Sequence, residues 1–155
     1  MAKTENSTGG TLRNFPRRVL IIDDDPVLCA VLRQFFESHG SVAIDDAESG
    51  RAAQNLIETA SCPYDLTTLD LSMPDVDGFE FLSYLKRRNV ETRILIISSL
   101  PSTVIRMAET LADFSTLNAI GHLRKPVSAS ALDAILKSQT WPCHDDEEFR
   151  QQATA

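Results

Sequence analysis

The sequence predicts an α/β protein built on a parallel sheet with helices on both faces. Three observations carry that prediction. Short β-branched apolar runs alternate with stretches of helical periodicity along most of the chain. Val19–Ile22 and Ile94–Ile97 are apolar throughout rather than alternately polar, as expected for strands covered on both sides. Each run except the second is followed at once by charged or hydroxyl side chains.

The 155 residues suit one domain, with 43% hydrophobic and 24% charged residues, as in an ordinary globular protein. Residues 1–16 are polar, rich in Gly, Ser and Thr, and aperiodic, and read as a flexible arm. Val19-Leu20-Ile21-Ile22 is the first strand and stops at Asp23-Asp24-Asp25. Asp25-Pro26 reads as a helix cap with proline in the first turn. Val27, Leu28, Val31, Leu32, Phe35 and Phe36 recur at helical spacing, and Gly40 ends that helix. A strand over 41–45 and a helix over 49–60 follow, the helix carrying Ala52, Ala53, Leu56 and Ile57. Leu66–Leu69 is the third strand, ending at Asp70, and a helix over 79–88 turns Phe79, Leu82 and Leu85 inward. Ile94–Ile97 is the most apolar strand, ending at Ser98-Ser99, and the fourth helix covers 102–114. The fifth strand, 120–124, ends at Lys125-Pro126, and Ser128 or Ser130 caps a last helix with Leu132, Ile135 and Leu136. Residues 17–138 thus form the domain, and 139–155 read as an acidic tail.

Composition excludes several classes of function. A net charge of −7 disfavours nucleic acid as a direct partner. No apolar run is long enough to cross a bilayer, and the first residues lack the apolar core of a secretion signal, so the chain reads as cytoplasmic. The three cysteines, Cys29, Cys62 and Cys143, are too widely spaced for a zinc site or a disulfide framework. His39 and His144 read as surface residues, and Trp141 packs either on the domain or on a partner.

In a parallel sheet of this kind ligands bind at the carboxyl ends of the strands. Asp23, Asp24, Asp70, Ser98 and Lys125 all stand there. Carboxylates about 4 Å apart repel by roughly 4 kcal/mol per pair at an effective dielectric near 20. Lys125 supplies one positive charge, so the pocket either protonates an Asp or recruits a hard divalent cation, for which Mg²⁺ is the best fit. With Mg²⁺ and Lys125 the formal charges cancel. Such a site suits phosphoryl chemistry, with an aspartate as nucleophile and the remaining groups neutralising the phosphoryl oxygens.

The segments "VLIIDDDP", "LDLSMPDVDGFEFL", "ILIISS" and "IGHLRKP" together resemble the receiver domains of bacterial two-component response regulators. The resemblance runs from about residue 17 to 137 and implies a flavodoxin-like strand order, 2-1-3-4-5. It implies Asp70 as phospho-acceptor and Mg²⁺ held by Asp24, Asp70 and the Ser72 backbone carbonyl, with Asp23 acting through water. It further implies Ser98 as the hydroxyl that turns toward the phosphoryl group, Lys125 as the pocket lysine, and a cis Lys125–Pro126 bond. The implied partners are a sensor histidine kinase or phosphotransfer protein, a downstream effector or output domain, and a phosphorylation-dependent homodimer. No enzymatic turnover is expected beyond phosphorylation and dephosphorylation of Asp70 itself.

Two departures stand out. The switch position three residues before the lysine holds His122 where the family usually has Tyr or Phe. The interval from Ser98 to Lys125 exceeds the family's by about one helical turn. The segment "AETLADFSTLNAIGHLRKP" is similar to receivers joined to cyclic-di-GMP phosphodiesterase (EAL) domains. The few residues after Lys137 leave no room for an output module, so the chain reads as a stand-alone receiver or one separated from its output. A competing enzyme reading, an aspartyl-nucleophile phosphatase, wants a second Asp two positions after the nucleophile, where this chain has Ser72. A third reading is a phosphorylation-independent interaction domain, against which the complete pocket set argues. Asp75-Val76-Asp77-Gly78 lacks the spacing of a calcium loop and reads as a turn in which Gly78 lets the backbone bend.

Overall fold

The computed structural model describes residues 13–41, 43–111 and 117–142. Five strands alternate with five helices: β1 (Arg18–Ile22), α1 (Pro26–Ser38), β2 (Ala43–Ala47), α2 (Gly50–Thr59), β3 (Leu66–Leu69), α3 (Gly78–Arg87), β4 (Arg93–Ser98), α4 (Ser102–Leu111), β5 (Ala119–Arg124) and α5 (Ala129–Lys137). The strands form one parallel sheet in the order β2-β1-β3-β4-β5, as the resemblance implies. Ile22 pairs with both Ala47 and Leu69, and Leu69 pairs with Ile96. The strand ends are therefore nearly level, and the residues just past them share one edge.

Every residue of β1 and β3 is buried; β1 is accordingly an apolar run from Val19 onward, while in β3 the buried Thr67 hydroxyl pairs with that of Thr92 at 2.9 Å. Alternate residues feed two cores. Leu20 and Ile22 join Leu69, Phe81, Leu82, Ile96, Ile105 and Ala108 on one face. Val19 and Ile21 join Leu32, Phe36, Leu95, Ile97, Leu132 and Leu136 on the other. The helices start where side chains can satisfy their first N–H groups. Asp25 accepts from Val27 and Leu28, Ser49 from Ala52, Asp77 from Glu80, and Ser128 from Ala131. Gly40, at φ +95°, takes the left-handed conformation just after α1.

Several expectations are corrected. Val27 and Val31 do not face the core: they are 70% and 54% exposed. The apolar residues of α1 span more of its circumference than one sheet face can cover, and the buried stripe is Cys29, Leu32 and Phe36. The second strand runs over 43–47 rather than 41–45, because pairing with β1 sets its register (Arg18 opposite Ala43). Asp45 and Asp46 consequently lie within this edge strand, and Asp45 accepts a 2.7 Å hydrogen bond from the Tyr64 hydroxyl.

The inner end of the arm differs from its reading as a flexible segment, and Trp141 takes the first of its two expected placements, packing on the domain. Arg13 and Trp141 form an antiparallel bridge, each N–H donating to the other's carbonyl at 3.0 Å. Trp141 is fully buried in the second core, and its Nε1–H donates to the Leu136 carbonyl at 3.1 Å. The Arg93 guanidinium lies 4.7 Å over the indole, a cation–π contact, and donates to the Thr140 carbonyl. Phe15 packs on Phe35 and His39. The remainder of the arm and tail, the expected end of the fourth helix at Phe114, Cys143 and His144 lie outside the described residues.

Trp141→Ala is expected to lower stability by about 3–5 kcal/mol, the usual cost of emptying a large aromatic site. It should appear as a lower urea midpoint by circular dichroism with an unchanged slope. Trp141→Phe should cost clearly less. A wild-type midpoint for the alanine variant would mean that the clasp adds nothing to stability.

Candidate functional site

The sheet itself sets the spacing of the acidic residues. The ladder continues one step past the strands: Asp23 N–H donates to the Ala47 carbonyl and Asp70 N–H to the Ile22 carbonyl, both at 3.0 Å. Asp23 and Asp70 therefore stand side by side, 3% and 4% exposed, while Asp24 is exposed beside them. Carboxylate oxygens of all three lie within 4.8 Å of one another.

Lys125 answers this concentration of charge. Its Nζ is 2.8 Å from Asp23 Oδ2 and 3.0 Å from Asp70 Oδ2. It follows β5 directly, its N–H donates to the Ser98 carbonyl at 3.1 Å, and the Lys125–Pro126 bond is cis. The second carboxylate oxygens take backbone donors: Ser72 N–H to Asp70 Oδ1 at 3.0 Å and Asp25 N–H to Asp23 Oδ1 at 2.9 Å. Burial raises the Asp23 carboxyl above its ordinary range, outweighing the hydrogen bonds and charge of Lys125 and the Asp25 N–H. Burial pulls Lys125 down, but the hydrogen bonds and charges of Asp23 and Asp70 outweigh it and leave the ammonium above its ordinary value.

The structure thus brings Asp23, Asp24, Asp70, Ser72 and Lys125 together. Ser98, fully buried at the end of β4, accepts from the Leu100 N–H at 3.2 Å, leaving its own O–H able to turn. His122 is not in the pocket. Its Nδ1 lies 3.0 Å from Glu109 Oε1 of α4. Glu109 was not singled out from the sequence, which does not show how α4 lies against β5.

Gly78 has a different role from the one expected. It is not needed for a turn of unusual φ; a Cβ there would lie 2.4 Å from Leu71 Cα and 2.9 Å from the Asp70 carbonyl. Only glycine lets the start of α3 press on the backbone that carries Asp70 and Ser72. Asp77 of the same turn caps α3. Cys29 and Cys62 are buried. The Cys29 thiol donates to the Asp23 carbonyl at 3.4 Å and is pushed up to about 11 by burial, then by Asp23, Asp46 and Asp25. It is held as a thiol, not a nucleophile.

Three carboxylates against one ammonium leave an excess of negative charge and a set of hard oxygen donors. That set fits a divalent cation that keeps open positions for other oxygens.

The family model for the response regulator receiver domain matches residues 19–137. The chain is 33% identical over 122 residues to the two-component response regulator ORR41 of Oryza sativa subsp. japonica, covering 77% of this chain and 91% of that protein. It is 32% identical over 133 residues to the aerobic respiration control sensor protein ArcB of Escherichia coli K12, covering 84% of this chain but only 16% of ArcB. Among solved structures, a response regulator from Colwellia psychrerythraea superposes with a TM-score of 0.65 at 33% identity, covering 79% and 94% of the two chains. The CheX–CheY–BeF3–Mg complex from Borrelia burgdorferi matches with a TM-score of 0.68 at 27% identity, covering 80% and 89%. The chain belongs to the response regulator receiver family and is a phosphorylation-switched signalling domain.

Proposed function

We propose that Asp70 is the phospho-acceptor and that its phosphorylation is the event this domain reports. The observation that carries the reading is the ammonium of Lys125 seated between Asp23 and Asp70, with Asp70 itself held by the Ser72 N–H. An Asp70 carboxylate oxygen attacks the phosphorus of a phosphohistidine or acyl phosphate. The P–O bond to Asp70 forms as the bond to the donor breaks, and the donor's imidazole or carboxylate leaves. Lys125 neutralises one phosphoryl oxygen, and the Ser98 O–H turns to donate to another. Asp24, Asp70 and the Ser72 carbonyl would hold Mg²⁺, with Asp23 acting through water. The bound cation would screen the repulsion between the carboxylates and the incoming phosphoryl oxygens. The solved relative that holds BeF3 and Mg supports this assignment.

The donor is a sensor histidine kinase or a phosphotransfer protein, and the response is read by an effector or output domain. A phosphorylation-dependent homodimer belongs to the same reading. No described helix is long and apolar enough to cross a membrane, and we place the domain in the cytoplasm with its kinase's catalytic part. Ser72 meets Asp70 through its backbone N–H and offers no second carboxyl to protonate a leaving group. External phosphoesters should therefore not be turned over, and p-nitrophenyl phosphate should give no multiple turnover.

Incubation with acetyl phosphate and Mg²⁺ should label the wild-type chain near stoichiometrically by intact-protein mass spectrometry, and Asp70→Asn should reduce labelling by at least about 100-fold, as loss of a nucleophile does. Stoichiometric labelling of that variant would refute the assignment.

Asp23 gives a second expectation. Its raised carboxyl means that the folded state disfavours the ionised form, so whatever it contributes to stability is present at low pH and lost as pH rises through its folded value. Asp23→Asn should thus melt higher than wild type at neutral pH without divalent cation. Adding Mg²⁺ should stabilise the wild type more than the variant and close the gap. Thermal melts with and without Mg²⁺ check this; a lower melting point for the metal-free variant would contradict it.

A further inference from the structure

His122 and Ser98 stand on the same side of the sheet. His122 pairs with Ile96, and Ser98 lies two residues further along β4, so their side chains share a face. That face is covered by α4, whose Ile105 and Ala108 join Ile94 and Ile96 in the core. Glu109 follows Ala108 directly and takes the His122 ring at 3.0 Å, with the two side chains 30% and 32% exposed. Nδ1–H donation to the carboxylate fixes the ring's orientation and ties α4 to β5. Three residues on, the Lys125 N–H joins β5 to the Ser98 carbonyl. A rearrangement of Ser98 and Lys125 at the pocket is thereby delivered to the strand that carries His122.

We infer that Glu109 is a positioning residue of the switch, holding the His122 ring against α4 and opposing the phosphorylated arrangement. The inference rests on Asp70 as phospho-acceptor. Because Ser98 and His122 share a face of the sheet, a swing of the His122 ring along that face toward Ser98 takes it away from Glu109 on α4. The carboxylate thus sets how much of the phosphoryl group's interaction energy is needed to move α4, a role that an apolar ring at this position would leave unfilled.

The test uses the full chain with beryllofluoride and Mg²⁺ as the phosphoryl stand-in, followed by NMR of α4 amides and of the His122 ring nitrogens. In wild type the ring should start as the Nδ1–H form and lose that signature as beryllofluoride saturates. Glu109→Ala should lack the signature from the outset and reach half-saturation at about three- to fivefold lower beryllofluoride, the worth of one partly exposed hydrogen bond. Glu109→Gln keeps an acceptor oxygen and should return the half-saturation to near wild type. Equal midpoints for wild type and Glu109→Ala, or a glutamine variant indistinguishable from alanine, would overturn the role of Glu109 while leaving Asp70 in place. A wild-type response from Asp70→Asn would instead overturn the acceptor assignment and the inference with it.

Discussion

The molecule is organised around one ammonium group shared by two buried carboxylates. Lys125 touches both Asp23 and Asp70, and the three residues come from three different strand ends far apart in the chain. Left to themselves, like charges at such separations repel by roughly 4 kcal/mol per pair even at a generous effective dielectric. One cation cannot balance three anions. The arrangement persists because the positions are dictated by main-chain pairing, one step beyond Ile22, Leu69 and Arg124, and not by the carboxylates' own preference. Burial of Leu20, Ile22, Leu69 and Ile96 on one side and of Val19, Ile21, Leu95 and Ile97 on the other stabilises that pairing. The sheet thus stores an electrostatic imbalance at its edge, and the imbalance makes the edge receptive to a divalent cation.

Much of this was legible in the sequence for a physical reason. Strands buried on both faces leave apolar runs, unbroken in Val19–Ile22 and Ile94–Ile97, and a parallel sheet puts the residues that follow its strands on one edge. Asp23, Asp70, Ser98 and Lys125 could therefore be assembled without coordinates. What could not be read depends on distances between elements. The exposure of Val27 and Val31 follows from how α1 is rolled against the sheet, and periodicity alone does not choose among adjacent apolar rows. The start of β2 at Ala43 follows from its register with β1. The bridge from Arg13 to Trp141 joins chain ends with no periodic signal. Glu109 looks like any half-exposed helical glutamate until α4 is laid against β5.

Receivers with different outputs share one fold, so the architecture gives no support to the likeness with EAL-linked receivers. The longer interval between Ser98 and Lys125 contains α4 and residues 112–116, the latter outside the described residues. It is notable that the same interval carries the pair that departs from the family pattern, since His122 draws its partner from α4. A Phe ring offers a carboxylate no polar hydrogen and a Tyr only the one at its far O–H, so it is the His122 ring nitrogen that engages Glu109 at this position.

The two ends of the sheet divide stability from responsiveness. At the carboxyl edge the groups are polar, Asp24 is open to solvent, and the Asp23 carboxyl is held under a burial penalty. At the opposite edge Trp141 is sealed under Arg93, pinned to Leu136 and stitched to Arg13, so that α5, β4 and the first residues of the domain are fastened together. Trp141 and its partners at the far edge belong to none of the parts proposed to move, which are Ser98, Lys125 and α4. A switch of modest energy requires such a separation: a few kcal/mol at the pocket must select between arrangements of one face while the remainder of the fold stays a single state.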